Sequence, residues 1–222
     1  MTIATEDLQR LFALIAGDIA AQRDHLCALD GAIGDGDHGL AMDAGCAAAA
    51  KAVAALDPAQ AAPAAAFNAA AKAFLNAVGA SSGPLYATAF MRAGAAVRDR
   101  TELSDDDFMR AFSAMAQGIQ ERGKAEPGEK TMVDAWRPAA DAALHAWAEG
   151  MALPQSLDMA ERAARDGCAA TRDMTAAKGR ASRLGERVIG HIDPGAASAV
   201  IIIAAIAKFV QHDGYLIIPV DM

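Results

Sequence analysis

The sequence predicts an all-α fold: eight antiparallel helices, in a bundle or a barrel, with the chemistry gathered at one end. Composition is the first reason. Hydrophobic residues make up 54% of the 222, much of it alanine, and aromatic residues only 5%. Alanine is the best helix former and offers little area for cross-strand packing, so close-packed helices are the natural way to bury it. The second reason is periodicity, with apolar residues recurring at three- and four-residue intervals. The third is that glycine-rich, charged connections alternate along the chain with bland ones.

Leu8, Leu11, Phe12, Ile15 and Ile19 share a helical face, so a first helix is expected over about residues 5–28. The stretch LDGAIGDGDHGLAMDAG (29–45) interrupts, and a second, alanine-rich helix runs from about Leu40 to Leu56. Asp57-Pro58 and Pro63 punctuate. A third helix carries Phe67, Phe74, Leu75 and Val78 and ends at Gly79 as a left-handed cap. GASSGP (79–84) is a small-residue loop, and a fourth helix follows to about Asp99. Ser104 and Asp107 in SDDD (104–107) match a capping box at the start of a fifth helix, which runs to Gly123. GKAEPGEKT (123–131) is a loop. A sixth helix begins near Thr131 and reaches Glu149, with Pro138 predicting a kink or a late start. Pro154 opens a seventh, which fades near Thr175. KGRASRLGERVIGHIDPG (178–195) is the longest irregular stretch, and an eighth helix runs from Ala196 to about Gln211. The tail GYLIIPV (214–220) reads as extended. One domain therefore covers residues 1–211, and residues 212–222 form a C-terminal extension.

Short connections make sequential helices antiparallel neighbours. Loops after the odd-numbered helices then share one end: DGAIGDGDH, GASSGP, GKAEPGEKT and KGRASRLGERVIGHIDPG. The loops at the other end, DPAQAAP, DRTEL and GMALPQ, carry no chemical signal. One site built by four loops is the expectation.

The net charge of −8 and pI near 5.0 argue against non-specific binding to nucleic acid or an anionic membrane. Cys27, Cys46 and Cys168 are widely spaced and odd in number, and read as reduced core thiols in a cytosolic protein. No secretory signal pattern opens the chain. The most apolar run, residues 196–207, is too short to span a bilayer and reads as a buried helix.

Asp30, Asp35 and Asp37 are spaced by five and two, which suits no single helical face. Folded together by the glycines around them, three carboxylates repel unless a cation lies between, and oxygen ligands select Mg2+ or Ca2+. The alternative is a solvated acidic turn. His38 is placed to cap the next helix or to touch a phosphate. GASSGP offers free amides and the hydroxyls of Ser81 and Ser82 at a helix start, either a phosphate cradle or a tight turn. Met132 is a core residue or an apolar wall for a nucleobase. Lys178, Arg180, Arg183 and Arg187 bring positive charge to the same end; Arg183 and Arg187 read as solvated. DPG (193–195) is a turn before the last helix. Carboxylates, amides and arginine together fit a magnesium–nucleotide site.

Four motifs then stand in order between about residues 5 and 210: IGDGDHG, GASSGPLYATAF, RGKAEPGEKTMVDAW and KGRASRLGERVIGHIDPGA. Together they resemble the nucleotide-binding L subunits of dihydroxyacetone kinases, the DhaL or DAK2-domain family. The resemblance implies an eight-helix up-and-down barrel with the nucleotide at one end. It implies that Asp30, Asp35 and Asp37 hold Mg2+, which bridges the phosphates of ADP or ATP. It implies nucleotide contacts at His38, Gly39, Leu40, Ala41, Ser81, Ser82, Gly123, Met132, Arg180, Asp193, Pro194 and Gly195, and assigns no catalytic side chain. It implies a cytoplasmic phosphotransferase subunit that needs a ketose-binding K subunit. The wording of the last motif resembles the branch recharged by a phosphotransferase-system M subunit. A second copy of the chain is a further candidate partner. In the family many members carry Asn where Ala41 stands, and the tail after Gln211 exceeds the pattern. The alternatives are an ATP-exchanging triose or tetrulose kinase subunit, a nucleotide-loaded regulatory module, and a calcium-stabilised helical bundle.

Overall fold

The structure is a computed structural model and describes residues 2–213, so the tail read as extended (214–220) lies outside the described residues, as does most of the C-terminal extension. Among the described residues there are nine α-helices: α1 (Thr5–Ala21), α2 (Arg23–Ile33), α3 (His38–Ala54), α4 (Pro63–Ala77), α5 (Ser82–Ala96), α6 (Asp105–Gly123), α7 (Val133–Ala148), α8 (Leu153–Ala170) and α9 (Pro194–Asp213).

The extra helix comes from the first expected one, which splits. Gln22 leaves helical geometry (φ −106°, ψ 5°), and the chain restarts as α2. This short helix buries its own stripe, Leu26 and Ile33, one heptad apart. Gly31 does not end it; the helix runs through to Ile33, and the turn at Gly36 lies beside Gly31. Asp30 therefore stands on a helix, and only residues 34–37 are loop.

Gly79 is not a left-handed cap. The chain leaves α4 through Val78 in an extended conformation (φ −118°, ψ 105°), which drives that side chain into the core against Gly45. The capping box of α6 is present as expected: Asp107 N–H donates to Ser104 Oγ at 3.2 Å, and Ser104 N–H to Asp107 Oδ2 at 3.1 Å. Helix α7 runs on through Pro138. Helix α9 begins at Pro194, two residues earlier than expected, because proline at a first helical position has no N–H to waste.

Helix α1 packs on α3, and from there each helix packs on the next to α9, which returns to α1. The order of neighbours closes on itself, with α2 outside this cycle against α3 and α9. Among the described residues the few aromatic side chains are concentrated inside. Phe12 meets Phe90 edge-on at 5.3 Å, Phe74 meets Tyr86 at 5.4 Å, and Trp136 stands 6.5 Å from Tyr86 and 5.8 Å from Phe112. By length and composition α9 could cross a membrane over Pro194–Gln211, but 72% of that stretch is buried inside the fold.

The chain starts at the bland end. Thr5 Oγ1 donates to Ala61 O in the α3–α4 connection at 2.5 Å, and Ile3 pairs with Leu103 in the α5–α6 connection. Gln211, near the end of α9, binds Asp158 on the second turn of α8. The opposite end holds the α2–α3, α4–α5, α6–α7 and α8–α9 connections.

Candidate functional site

Those four connections surround one open cavity of about 890 Å³. Its wall takes residues from the α2–α3, α4–α5, α6–α7 and α8–α9 segments, as the division of loops required.

The acidic wall is built from the end of α2 and the start of α3. Asp30 Oδ2 accepts the backbone N–H groups of Asp37 at 2.9 Å and His38 at 3.1 Å, so it satisfies amides that the first turn of α3 leaves free. A Cβ at Gly34 would lie 2.2 Å from Asp30 Oδ1, so a side chain there would displace that carboxylate. One carboxylate oxygen each from Asp30, Asp35 and Asp37 lies within 4.8 Å of the others. That is an oxygen-only donor set gathered at a spacing a single hard cation can span. Arg180, from the α8–α9 segment, reaches over the cavity to pair with Asp35.

His38 begins α3. Its Nε2 lies 2.9 Å from Ser198 Oγ, and Ser198 Oγ also lies 2.9 Å from Gly195 O. With that hydroxyl donating to the carbonyl, Nε2 of His38 carries a proton. Burial lowers the pKa of the ring below its ordinary 6.5 against the pull of Asp30, which keeps it neutral.

Ser81 and Ser82 stand at the start of α5, with Ser81 exposed and Ser82 buried. The turn is tight because Gly83 rides on the Val78 carbonyl: a Cβ there would come within 2.2 Å of it. Met132 sits at the start of α7, 7% exposed, and forms apolar wall beside Gly195.

Asp193 organises the start of α9. Its Oδ2 accepts Ala196 N–H at 2.7 Å, while its own N–H donates to Thr171 Oγ1 at 3.0 Å. Burial pushes its carboxyl up to about 7, opposed by the Ala196 amide and by Lys130. Lys130 is itself 2% exposed, and burial lowers its pKa while Asp193, Asp134 and Asp173 pull it back. Asp134, also buried, accepts Thr131 N–H at 2.7 Å and Gly128 N–H at 2.5 Å, which folds the GEKT turn back over α7.

Of the residues expected at the site, Asp30, Asp35, Asp37, His38, Ala41, Ser81, Ser82, Gly123, Met132, Arg180, Asp193, Pro194 and Gly195 line the cavity. Gly39 and Leu40 are not part of its lining. Gly39 faces α2, where a Cβ would lie 2.0 Å from Arg23 O, and Leu40 is 56% exposed. Sequence reasoning passed over Lys130, Asp134 and Thr171. The one signal was a lysine and two hydroxyl or carboxyl residues flanking Met132 and the start of the long irregular segment.

The model of the DAK2 domain matches residues 32–208. The ADP-binding subunit DhaL of the PEP-dependent dihydroxyacetone kinase of Escherichia coli K12 is 40% identical over 194 residues, 86% of this chain and 90% of that protein. The corresponding subunit of kinase 1 of Listeria innocua is 39% identical over 180 residues, 81% of this chain and 84% of that one. Among solved structures, the dihydroxyacetone kinase of C. freundii in complex with AMP-PNP and Mg2+ superposes with a TM-score of 0.66 at 25% identity. That superposition covers 90% of this chain and 33% of the longer kinase, so the chain spans about a third of it.

Proposed function

Because the chain belongs to the DAK2-domain family, we propose that it is the ADP- or ATP-binding L subunit of a dihydroxyacetone (ketose) kinase, a phosphotransferase subunit that needs partners for activity. The observation that carries this reading is a juxtaposition. Three carboxylates within 4.8 Å of one another share one cavity with the starts of α3, α5 and α9. The helix start at Ser81–Ser82 favours an anion, and carboxylates favour a divalent cation; a magnesium-bound polyphosphate satisfies both.

In this reading Asp30, Asp35 and Asp37 hold Mg2+, an assignment their oxygen-only chemistry and close approach support. When bound, Mg2+ supplies charge neutralisation for the phosphate oxygens. The residues of the chain do the rest. The Ser81–Ser82 turn at the start of α5 receives phosphate oxygens, since the amides of Asp37, His38 and Ala196 are taken by Asp30 and Asp193. Arg180, exposed and on the far rim, neutralises the remaining charge. Met132 packs against the base. No side chain serves as general base, because phosphoryl transfer asks chiefly for alignment and charge stabilisation.

The ketose is held by a separate K subunit docked at the cavity mouth. The close relatives carry PEP-dependent or PTS-dependent in their names, which supports a cytoplasmic cycle with nucleotide retained and recharged by an M subunit. The L-erythrulose 1-kinase of Mycolicibacterium smegmatis is also 36% identical, with the chain covering 31% of it.

The test is to purify the chain without added nucleotide, denature it, and identify what is released by chromatography and mass spectrometry. Near-stoichiometric ADP is expected. An empty protein whose melting temperature rises with Mg–ATP would move the reading to an exchanging ATP site. An empty protein that ignores Mg–ATP would overturn the kinase reading.

A further inference from the structure

Lys130 is an anomaly for a lysine. It is 2% exposed, and its backbone is left-handed (φ 58°), a region bulky side chains rarely enter. A buried ammonium must be compensated, and a residue in such a conformation persists where its surroundings over-determine it. The compensation comes from two backbone carbonyls. Lys130 Nζ donates to Thr171 O and, at 2.5 Å, to His191 O.

Those carbonyls are the two ends of one excursion. The chain leaves α8 at Thr171, travels out past Lys178 and Arg180, and returns through His191 to Asp193. Gly190 N–H donates to Arg172 O at 2.7 Å and closes the same neck. On the outgoing side, Ala177 N–H donates to Glu129 O at 3.1 Å, and Lys178 pairs with Glu129 at 3.6 Å. The excursion thus hangs from a ring of backbone bonds with one ammonium across it. Beyond the neck lies Arg180, paired with Asp35. Directly after it lies Asp193, whose amide binds Thr171 and whose carboxylate caps α9.

We infer that Lys130 is a positioning residue: its ammonium clamps the neck of the 171–191 excursion and so presets Arg180 and the Asp193–Gly195 turn around the cavity before any ligand enters. This rests on the reading of the cavity as a nucleotide site. Lys130 lines the cavity, yet both of these ammonium bonds go to protein carbonyls, so it acts through the loop. Opening the neck dilutes the binding-competent loop conformation, and apparent affinity falls by that fraction.

The experiment compares wild type with Lys130→Asn and Lys130→Arg. Asparagine tolerates the left-handed backbone but is too short to reach either carbonyl, so it isolates the ammonium. Arginine keeps a charged donor. Hydrogen exchange is followed on nucleotide-free protein, and binding of Mn2+ alone and of Mg–ADP is measured by calorimetry. Expected for K130N are faster exchange confined to residues 171–193, unchanged Mn2+ binding, and Mg–ADP affinity lower by about tenfold or more. K130R is expected to recover part of both losses. Wild-type exchange in 171–193 for K130N would overturn the inference, and so would equal loss of Mn2+ and Mg–ADP binding. If K130N does not fold, the exchange of Lys130→Met, which keeps the stem and removes the ammonium, decides: acceleration confined to 171–193 supports the clamp, and a wild-type pattern overturns it. Failure of wild type to bind Mg–ADP would instead strike the nucleotide reading, and the exchange data would still decide the clamp.

Discussion

Asp30 Oδ2 accepts the backbone N–H of His38 at 3.1 Å, so a proposed metal ligand also caps α3. Asp35 has no such second duty; its partner is the exposed Arg180. The two aspartates therefore separate in the metal-free protein. Asp30→Ala is expected to cost about 1 kcal/mol, the usual worth of a cap, and to lower Tm by about 2–4 °C for a chain of this size. Asp35→Ala should leave Tm of the metal-free protein unchanged, because exposed ion pairs contribute little. Both variants should lose the Tm increase that Mg–ADP gives wild type. Thermal melts with and without Mg–ADP check this, and equal metal-free melts would contradict it.

Asp193 gives the fold a pH dependence of unusual sign. Its carboxyl sits at about 7 in the fold against an ordinary 3.8. The folded chain therefore holds a proton that the unfolded chain releases in this window. The stability it contributes is full below the unfolded value and is lost as pH rises through the folded one. Asp193→Asn keeps an oxygen for the Ala196 amide and removes the titration. The Tm of D193N relative to wild type should climb between about pH 4 and 7 in nucleotide-free protein. Parallel Tm curves would refute the assignment.

Two glycines of the site end should behave oppositely. Gly39→Ala places a Cβ 2.0 Å from Arg23 O and 2.9 Å from Cys27 N, both backbone atoms of α2. Overpacking of this kind costs about 1–3 kcal/mol, and it displaces the helix that carries Asp30. A Cβ at Gly79 meets nothing within 4 Å. Gly79→Ala is expected to change stability by less than about 0.5 kcal/mol. Urea denaturation of the two variants provides the comparison.

Arg180→Gln tests the rim. The side chain is exposed, so chemical denaturation should not distinguish the variant from wild type. Mg–ADP affinity should fall about tenfold or more, the loss expected for one charge-assisted contact to phosphate. The salt dependence of binding should flatten with it. Calorimetry at two ionic strengths reads both effects.

The helix plan and the site end were legible because they follow from local rules. Apolar periodicity placed the helices, and alternation of up and down sent GASSGP, GKAEPGEKT and the acidic stretch to one end. The break between α1 and α2 was not legible. Gly31 and Asp30 read as loop by composition, whereas α2 runs through both and buries Leu26 and Ile33. Lys130 was illegible for a different reason. Its partners are backbone carbonyls 41 and 61 residues away, and backbone carbonyls leave no mark in a sequence. Gly39 is the converse: the resemblance implies a ligand contact there, and the fold adds a packing role, the close approach of α2 to α3 over its bare backbone.

Thr5 and Ile3 fasten the start of the described chain to connections at the bland end, and Gln211 fastens α9 to α8. Both ends of the helical array thus lead away from the cavity. A tether at either side begins on the far face from the mouth, so a fused domain, a surface linker or a fluorophore there leaves the approach to the mouth clear.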